Sequence, residues 1–168
     1  MTELWRKSAK EMVELLKIGE IRPSEAIDIA AARIDATDGA VNAMVTRCFD
    51  RAHKHAAQLE AEGHPKDPSA GYLYGLPISV KDLAHVEGVL CTEGSSIYRD
   101  RVSTESDLMV KTLEAKGAIV IGKSNTPEFG AGANTFNEVF GATLNPWDTR
   151  MNAGGSSGCL LYTSDAAD

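Results

Sequence analysis

The apolar residues of the N-terminal part recur at helical spacing. After Ser8, the residues Met12, Leu15 and Leu16 follow the period of an amphipathic helix. Gly19 then offers a residue that readily adopts the left-handed conformation common after a helix end. The pattern therefore predicts a first helix that runs from about Ser8 to Gly19.

Further helices and one strand are predicted before residue 71. Residues 23–34 predict a second helix with Ser24 as its N-cap, since a serine hydroxyl can accept a bond from an otherwise unpaired amide. Residues 41–46 are short and partly β-branched, which favours a strand. Residues 48–62 predict a third helix, and the stretch 63–71, rich in Pro and Gly, predicts a loop.

The pattern changes after residue 71. An apolar run at 76–80, a helical pattern at 106–115 and a second apolar run at 118–121 follow one another. Strand, helix and strand in this order are typical of a parallel α/β unit. We therefore predict an α/β fold in which N-terminal helices pack on the opening part of a mixed or parallel sheet covered by helices.

The domain organisation follows from these patterns. Residues 1–158 are predicted to form one part of a single domain, with a helical layer at 1–70 and the start of the α/β core at 71–158. The predicted strands are few for a sheet that is covered on both faces, so the fold looks unfinished.

Composition narrows the classes of function. The 168 residues are 43% apolar, as expected of a globular domain, and carry a net charge of -7. Clustered Lys and Arg are needed to bind phosphates, so we expect neither nucleic acid nor an acidic membrane as a partner. The N-terminus has no apolar signal region, and a cytoplasmic location is expected.

Cysteine and histidine spacing argues against metal or disulfide sites. Cys48, Cys91 and Cys159 are odd in number and widely spaced, and we expect the first two to be buried thiols. His53 and His55 lie two residues apart on a predicted helix and so point in different directions. No metal site and no cofactor are predicted.

The chemistry is expected in two segments. Residues 151–158 contain Gly154 and Gly155 before the serine pair Ser156 and Ser157, and such a loop can bring backbone amides close to a bound group. The same residues are also common in ordinary turns and linkers. The second segment must therefore decide between the two interpretations.

In the second segment, Lys81 follows directly on the apolar run. Burial disfavours an ammonium group, and a neutral amine can act as a general base, so Lys81 is the candidate base. The alternative is a surface lysine paired with Asp82. Because adjacent strand residues face opposite sides, Asp82 is instead assigned to hydrogen bonding that supports the site from outside it.

Four segments together resemble the amidase signature family. In order they are Gly-Leu-Pro-Ile-Ser-Val-Lys-Asp, Gly-Lys-Ser-Asn-Thr-Pro-Glu-Phe-Gly, Asn-Pro-Trp and Gly-Gly-Ser-Ser-Gly, within a resemblance that spans residues 1–158. It implies hydrolysis of a carbon-nitrogen amide bond by a Ser-Ser-Lys triad through an acyl-enzyme. Lys81 would be the base, and Ser156, preceded by a cis peptide bond, the bridging serine.

The resemblance also assigns supporting residues. Gly154, Gly155, Ser157, Asn125 and Glu128 are expected in the loops that bind substrate, although Glu128 is more simply explained as a helix cap. The attacking serine is expected roughly two dozen residues after the serine pair, past Asp168. The chain alone is therefore expected to be inactive, and its expected partner is a small-molecule amide substrate.

The resemblance stops after Gly158, where the family has another glycine and small residues. Residues 159–168 are therefore interpreted as a non-native tail. Cys159 as a nucleophile is disfavoured, because the nearest imidazole in a motif, His85, has nothing in the sequence to orient it.

Competing functions remain at this level. A stand-alone amidase is favoured by the Asn-Thr-Pro-Glu-Phe segment. The alternatives are the glutaminase subunit of a tRNA-dependent amidotransferase and a non-catalytic α/β module that binds an anion at the glycine-rich loop.

Overall fold

The computed structural model describes residues 4–157, so the predicted non-native tail at 159–168, including Cys159, lies outside the described residues. The described part contains the helices α1 Ala9–Lys17, α2 Pro23–Val41, α3 Phe49–Glu62 and α4 Leu108–Ala115. Its main strands are β1 Met44–Arg47, β2 Pro77–Lys81 and β3 Ile119–Ser124. Two small ladders follow, β4 Phe136–Asn137 with β5 Gly141–Ala142 and β6 Leu144–Asn145 with β7 Asp148–Asn152.

The main sheet is mixed. Strand β3 lies in the centre, parallel to β2 and antiparallel to β1. The parallel pair flanking α4 confirms the strand-helix-strand prediction, and the α/β fold class is confirmed with it.

Helices cover both faces of this sheet. Helices α2 and α3 pack on one face, where the buried side chains are Ile27, Ala52, Ala56, Ile119 and Ile121. The other face carries α4 and a cluster of buried valines, Val80, Val86, Val89, Val110 and Val120. Strand β3 contributes to both clusters and is buried along its whole length. None of the helices in the described ranges is long and apolar enough to span a bilayer.

Helix α1 begins as the sequence predicts. Ser8 is its N-cap, and its hydroxyl accepts a hydrogen bond from the Glu11 amide at 3.3 Å while the Glu11 carboxylate accepts one from the Ser8 amide at 2.8 Å. This reciprocal pair satisfies amides that a helix start leaves unpaired. Met12 and Leu16 are buried, and Gly19 follows the helix with a φ of 72°.

The predicted N-cap of α2 is wrong. Arg22 caps the helix, because Pro23 takes the first helical position, where its fixed φ suits the helix and its missing N–H is no loss. Ser24 lies inside the helix, and its amide donates to the Glu60 carboxylate of α3 at 2.9 Å. A carboxylate from a neighbouring helix thus satisfies one of the amides that the start of α2 leaves unpaired.

The predicted strand 41–46 also starts later than expected. Val41 ends α2, and Asn42 follows in the left-handed conformation with a φ of 57°. The Asp38 carboxylate then accepts hydrogen bonds from the amides of Ala43 at 2.7 Å and Met44 at 3.1 Å. These bonds let the chain turn directly from the helix into β1.

A β-bulge interrupts the pairing of β2 with β3. Ile78 pairs with Val120, but Ser79 pairs with Gly122, so Ile121 is an extra residue on β3. An extra residue reverses the alternation of the side chains that follow it. Lys123 therefore pairs with Val80 and shares its face of the sheet, while Ser124 pairs with Lys81 on the opposite face.

Candidate active site

Lys81 is the last residue of β2, at the carboxyl end of the parallel strand pair. Its backbone neighbour across the sheet is Ser124, the last residue of β3. Loops after the carboxyl ends of parallel strands commonly line binding sites in α/β proteins. The Lys81 side chain is half-buried at this edge.

Lys81 and Ser156 meet at this edge. The Lys81 Nζ lies 3.4 Å from the Ser156 Oγ, a long hydrogen bond. Burial lowers the pKa of the Lys81 amine from its usual value. The geometry thus brings together the two residues that the sequence selects as base and bridging serine, and the interpretation of Lys81 as a surface partner of Asp82 loses its support.

Two threonines hold the glycine-rich loop in place by hydrogen bonds. The Gly155 carbonyl accepts a short hydrogen bond from the buried Thr135 hydroxyl. The Ala153 amide donates to the Thr143 carbonyl at 2.9 Å. Gly154 adopts a φ of 65°, a conformation that favours glycine. The turn that follows presents Ser156 to Lys81, with Ser157 half-buried beside it.

The predicted cis bond before Ser156 is not found. All peptide bonds in the described part of the chain are trans, including that between Gly155 and Ser156. Trans is the lower-energy form for a residue other than proline.

Asp82 is completely buried and contacts neither Ser156 nor the Lys81 amine in the hydrogen bonds described. Its carboxylate accepts a short bond of 2.6 Å from the Thr92 hydroxyl and a longer one of 3.2 Å from the Thr92 amide. Its Oδ1 lies 2.8 Å from the Nζ of Lys123, which is also fully buried. Asp82 therefore connects the end of β2 to Thr92 and to Lys123 of β3.

Lys123 is a residue that sequence reasoning missed. The predicted buried strand stopped at residue 121, whereas β3 continues to Ser124. A lysine that continues an uninterrupted apolar run is the signal that could have indicated it. The bulge in β3, which turns Lys123 toward Asp82, has no evident signature in the sequence.

Asn125 and Glu128 lie in the loop after β3. The Asn125 amide nitrogen donates to the Thr143 hydroxyl at 3.0 Å, and its oxygen accepts from Asn137 Nδ2 at 2.7 Å. These bonds connect the loop to the small ladders. Glu128 is exposed and accepts a hydrogen bond from the Ser95 hydroxyl at 2.7 Å. Their contact with substrate stays a prediction.

The histidines have separate partners. His53 Nε2 lies 3.3 Å from Asp28, and His55 Nδ1 lies 3.9 Å from Glu114. His85 is oriented by the Ser103 hydroxyl, 2.9 Å from its Nδ1, which the sequence did not indicate. Within residues 4–157, no group of three or more His, Cys, Asp or Glu side chains is arranged to hold a metal ion.

The two cysteines in the described part are poor nucleophiles. Cys91 is fully buried, and Cys48 is half-buried with its thiol 3.4 Å from the Val120 carbonyl. Burial raises the pKa of Cys48 to about 11, so the thiol is protonated at neutral pH.

Comparison with known sequences gives relatives of two kinds. The chain is 36% identical to a subunit of the glutamyl-tRNA(Gln) amidotransferase of Persephonella marina, over 93% of this chain and 32% of that protein. It is 34% identical to an acylamidase of Rhodococcus erythropolis, over 89% of this chain and 31% of that protein. The chain thus spans about a third of the length of these relatives.

Solved structures agree with this relationship. A bacterial aryl acylamidase of the amidase signature enzymes matches with a TM-score of 0.80 and 33% identity, over 90% of this chain and 32% of its own. A 6-aminohexanoate cyclic dimer hydrolase matches with a TM-score of 0.80 and 28% identity, over 94% of this chain and 31% of its own.

The sequence model of the family described as Amidase matches residues 25–159, most of the described chain. The match includes the strand pair, Lys81 and the loop that carries Ser156. The chain therefore belongs to the amidase family, whose signature its four motifs carry.

Proposed function

We propose that this chain is the N-terminal part of an enzyme that hydrolyses a carbon-nitrogen amide bond through an acyl-enzyme. Lys81 acts as the base and Ser156 as the bridging serine, while the attacking serine is expected beyond Asp168. The contact of 3.4 Å between the Lys81 amine and the Ser156 hydroxyl is the observation that carries this proposal. A base must lie within reach of the proton it takes.

The proposed steps conserve protons. The attacking serine gives its proton to the Ser156 oxygen, while the Ser156 proton passes to the neutral Lys81 amine. The serine oxygen bonds to the amide carbon. Collapse of the tetrahedral intermediate breaks the carbon-nitrogen bond as the leaving nitrogen takes a proton, which the Lys81 ammonium returns through Ser156. Water then cleaves the acyl-enzyme and releases the acid, by the same proton route.

The electrostatics of Lys81 support this role. An ammonium cannot accept a proton, so the amine must be neutral when the nucleophile attacks. The lowered pKa of Lys81, caused by burial, increases the neutral fraction at a given pH. The loop anchored by Thr135 and Thr143 supports a fixed position for Ser156.

The experiment requires the longer protein. Hydrolysis of a panel of simple amides is followed by release of ammonia or amine, for wild type, Lys81→Ala and Ser156→Ala. Lys111→Ala is the matched control, because Lys111 is exposed and pairs with Glu105 at 3.3 Å, away from the site. We expect each site variant to lose at least about a thousand-fold in kcat.

A stand-alone amidase and a glutaminase subunit share this mechanism. The relatives include a protein of each kind at similar identity, 36% for the amidotransferase protein and 34% for the acylamidase. The Asn-Thr-Pro-Glu-Phe segment favours the stand-alone enzyme. Assays of glutamine and of simple amides, each with and without the other subunits of an amidotransferase, separate the two. Glutamine hydrolysis that occurs only with the added subunits would identify the amidotransferase.

A further inference from the structure

The ion pair of Asp82 with Lys123 is unusual because both side chains are fully buried. Their charged atoms lie 2.8 Å apart, yet the Lys123 ammonium makes no hydrogen bond of acceptable geometry. Removing two charges from water is costly, and a buried ion pair is weak evidence of a contribution to stability. Its retention in this position therefore calls for another explanation.

The pair lies one residue away from the proposed base on both strands. Asp82 follows Lys81 directly, and Lys123 precedes Ser124, which pairs with Lys81 across the sheet. The bulge at Ile121 turns Lys123 to the face of Val80, toward Asp82 and away from Lys81. Two opposite charges are thereby held together next to Lys81 in the sheet, on the face opposite to its side chain.

We propose that Asp82 and Lys123 form a charge-balancing pair. Each of the two charges cancels the electric field that the other exerts at the Lys81 amine. The pair touches no substrate in this arrangement and acts through Lys81, so both are positioning residues. The proposal deepens the proposed function and rests on it, since it concerns the base of that reaction. It predicts that neither charge can be changed alone without altering how Lys81 holds its proton.

The groups described around the pair in residues 4–157 are fixed, neutral or themselves paired. Thr92 fixes the Asp82 carboxylate by its hydroxyl and amide, so the carboxylate cannot turn toward Lys81. The Cys48 thiol, which faces Lys123, is protonated at neutral pH, since burial raises its pKa to about 11. Glu93, whose amide donates to the Asp82 carbonyl, is itself paired with Arg101 at 2.6 Å.

The pKa of the Lys81 amine is lowered, and burial is the cause. An unpaired Asp82 carboxylate would favour the Lys81 ammonium, whereas an unpaired Lys123 ammonium would disfavour it. The two single changes must therefore act in opposite directions.

The test measures the Lys81 amine directly in this chain. Trace acetylation with acetic anhydride across a pH series, followed by mass spectrometry of the Lys81 peptide, gives the midpoint of its titration. The exposed Lys54 in the same chain is the internal reference. The variants are Lys123→Met, Asp82→Asn and the double variant, which replace each charge by a neutral group of similar size.

We expect Lys123→Met to raise the Lys81 midpoint and Asp82→Asn to lower it, each on the order of one pH unit. The double variant is expected to return to the wild-type midpoint. Shifts in the same direction, or no shift in folded single variants, would overturn the proposal. Lost contacts alone cannot produce opposite shifts that the double variant restores.

If the single variants fail to fold, the double variant still tests the proposal. The double variant must then recover both a cooperative thermal transition and the wild-type Lys81 midpoint, because it again holds no uncompensated charge. A double variant that stays unfolded, or that titrates differently, overturns the proposal. The labelling needs no turnover. An inactive longer protein would therefore contradict the hydrolase proposal, whereas the Lys81 midpoints would still test the charge pair.

Discussion

The Nζ of Lys81 and the Oγ of Ser156 lie 3.4 Å apart, although 75 positions separate the two residues in the chain. Lys81 ends strand β2, and Ser156 follows the two glycines of the loop. The contact requires the parallel strand pair, the loop after β3 and both small ladders to be in place.

Activity of the longer protein should rise with pH. The base must be neutral, and burial lowers the pKa of Lys81 below the ordinary value of 10.5. Protonation below that pKa removes the base, so the ascending limb of kcat/KM against pH should have its midpoint below 10.5. A profile that stays flat across the whole range in which lysine titrates would contradict the assignment of Lys81.

Thr135→Val should loosen the loop that presents Ser156. The change removes the hydroxyl that donates to the Gly155 carbonyl while keeping the shape of the side chain. We expect kcat/KM of the longer protein to fall about ten-fold, because small displacements of a reacting group are costly. Thr37→Val is the control, since its hydroxyl donates to the Arg33 carbonyl on a distant helix. Equal activity of both variants would exclude this role for Thr135.

Gly122→Ala should destabilise the sheet. A Cβ at this position would lie 2.6 Å from the Thr46 carbonyl oxygen, a backbone atom of β1 that cannot move independently. We expect a loss of at least about 2 kcal/mol in the free energy of unfolding, measured by urea denaturation. A loss below about 0.5 kcal/mol would show that β1 and β3 can separate at little cost.

Gly39→Ala provides the matched control. Gly39 lies inside α2, and a Cβ there would meet no atom within 4 Å. Because alanine has the higher helix propensity, we expect this variant to gain about 0.5 to 1 kcal/mol. Opposite signs for the same chemical change would confirm that local space at Gly122 decides the outcome.

Ser8→Ala should weaken the start of α1. It removes the hydroxyl that accepts from the Glu11 amide, and with it one half of the reciprocal cap. The expected cost is about 1 kcal/mol in the free energy of unfolding. Lys10→Ala, an exposed change within the same helix, should stay within about 0.5 kcal/mol of wild type. Similar losses in both variants would contradict the capping role.

Much of the fold is determined by local sequence pattern. Apolar spacing predicts the helices α1 and α2, and short apolar runs predict the strands β2 and β3, because burial of apolar side chains is the main driving force. Motif order selects Lys81 and Ser156 and the amidase family. These features depend on residues that are near one another in the chain.

The tertiary structure decided what depends on distant partners. At the start of α2 the Ser24 amide donates to the Glu60 carboxylate of another helix, and Ser24 is not the N-cap. An extra residue at Ile121 turned Lys123 from one face of the sheet to the other. Pattern alone cannot set such a register, since one inserted residue reverses every side chain after it and only the packed neighbours determine which arrangement is lower in energy.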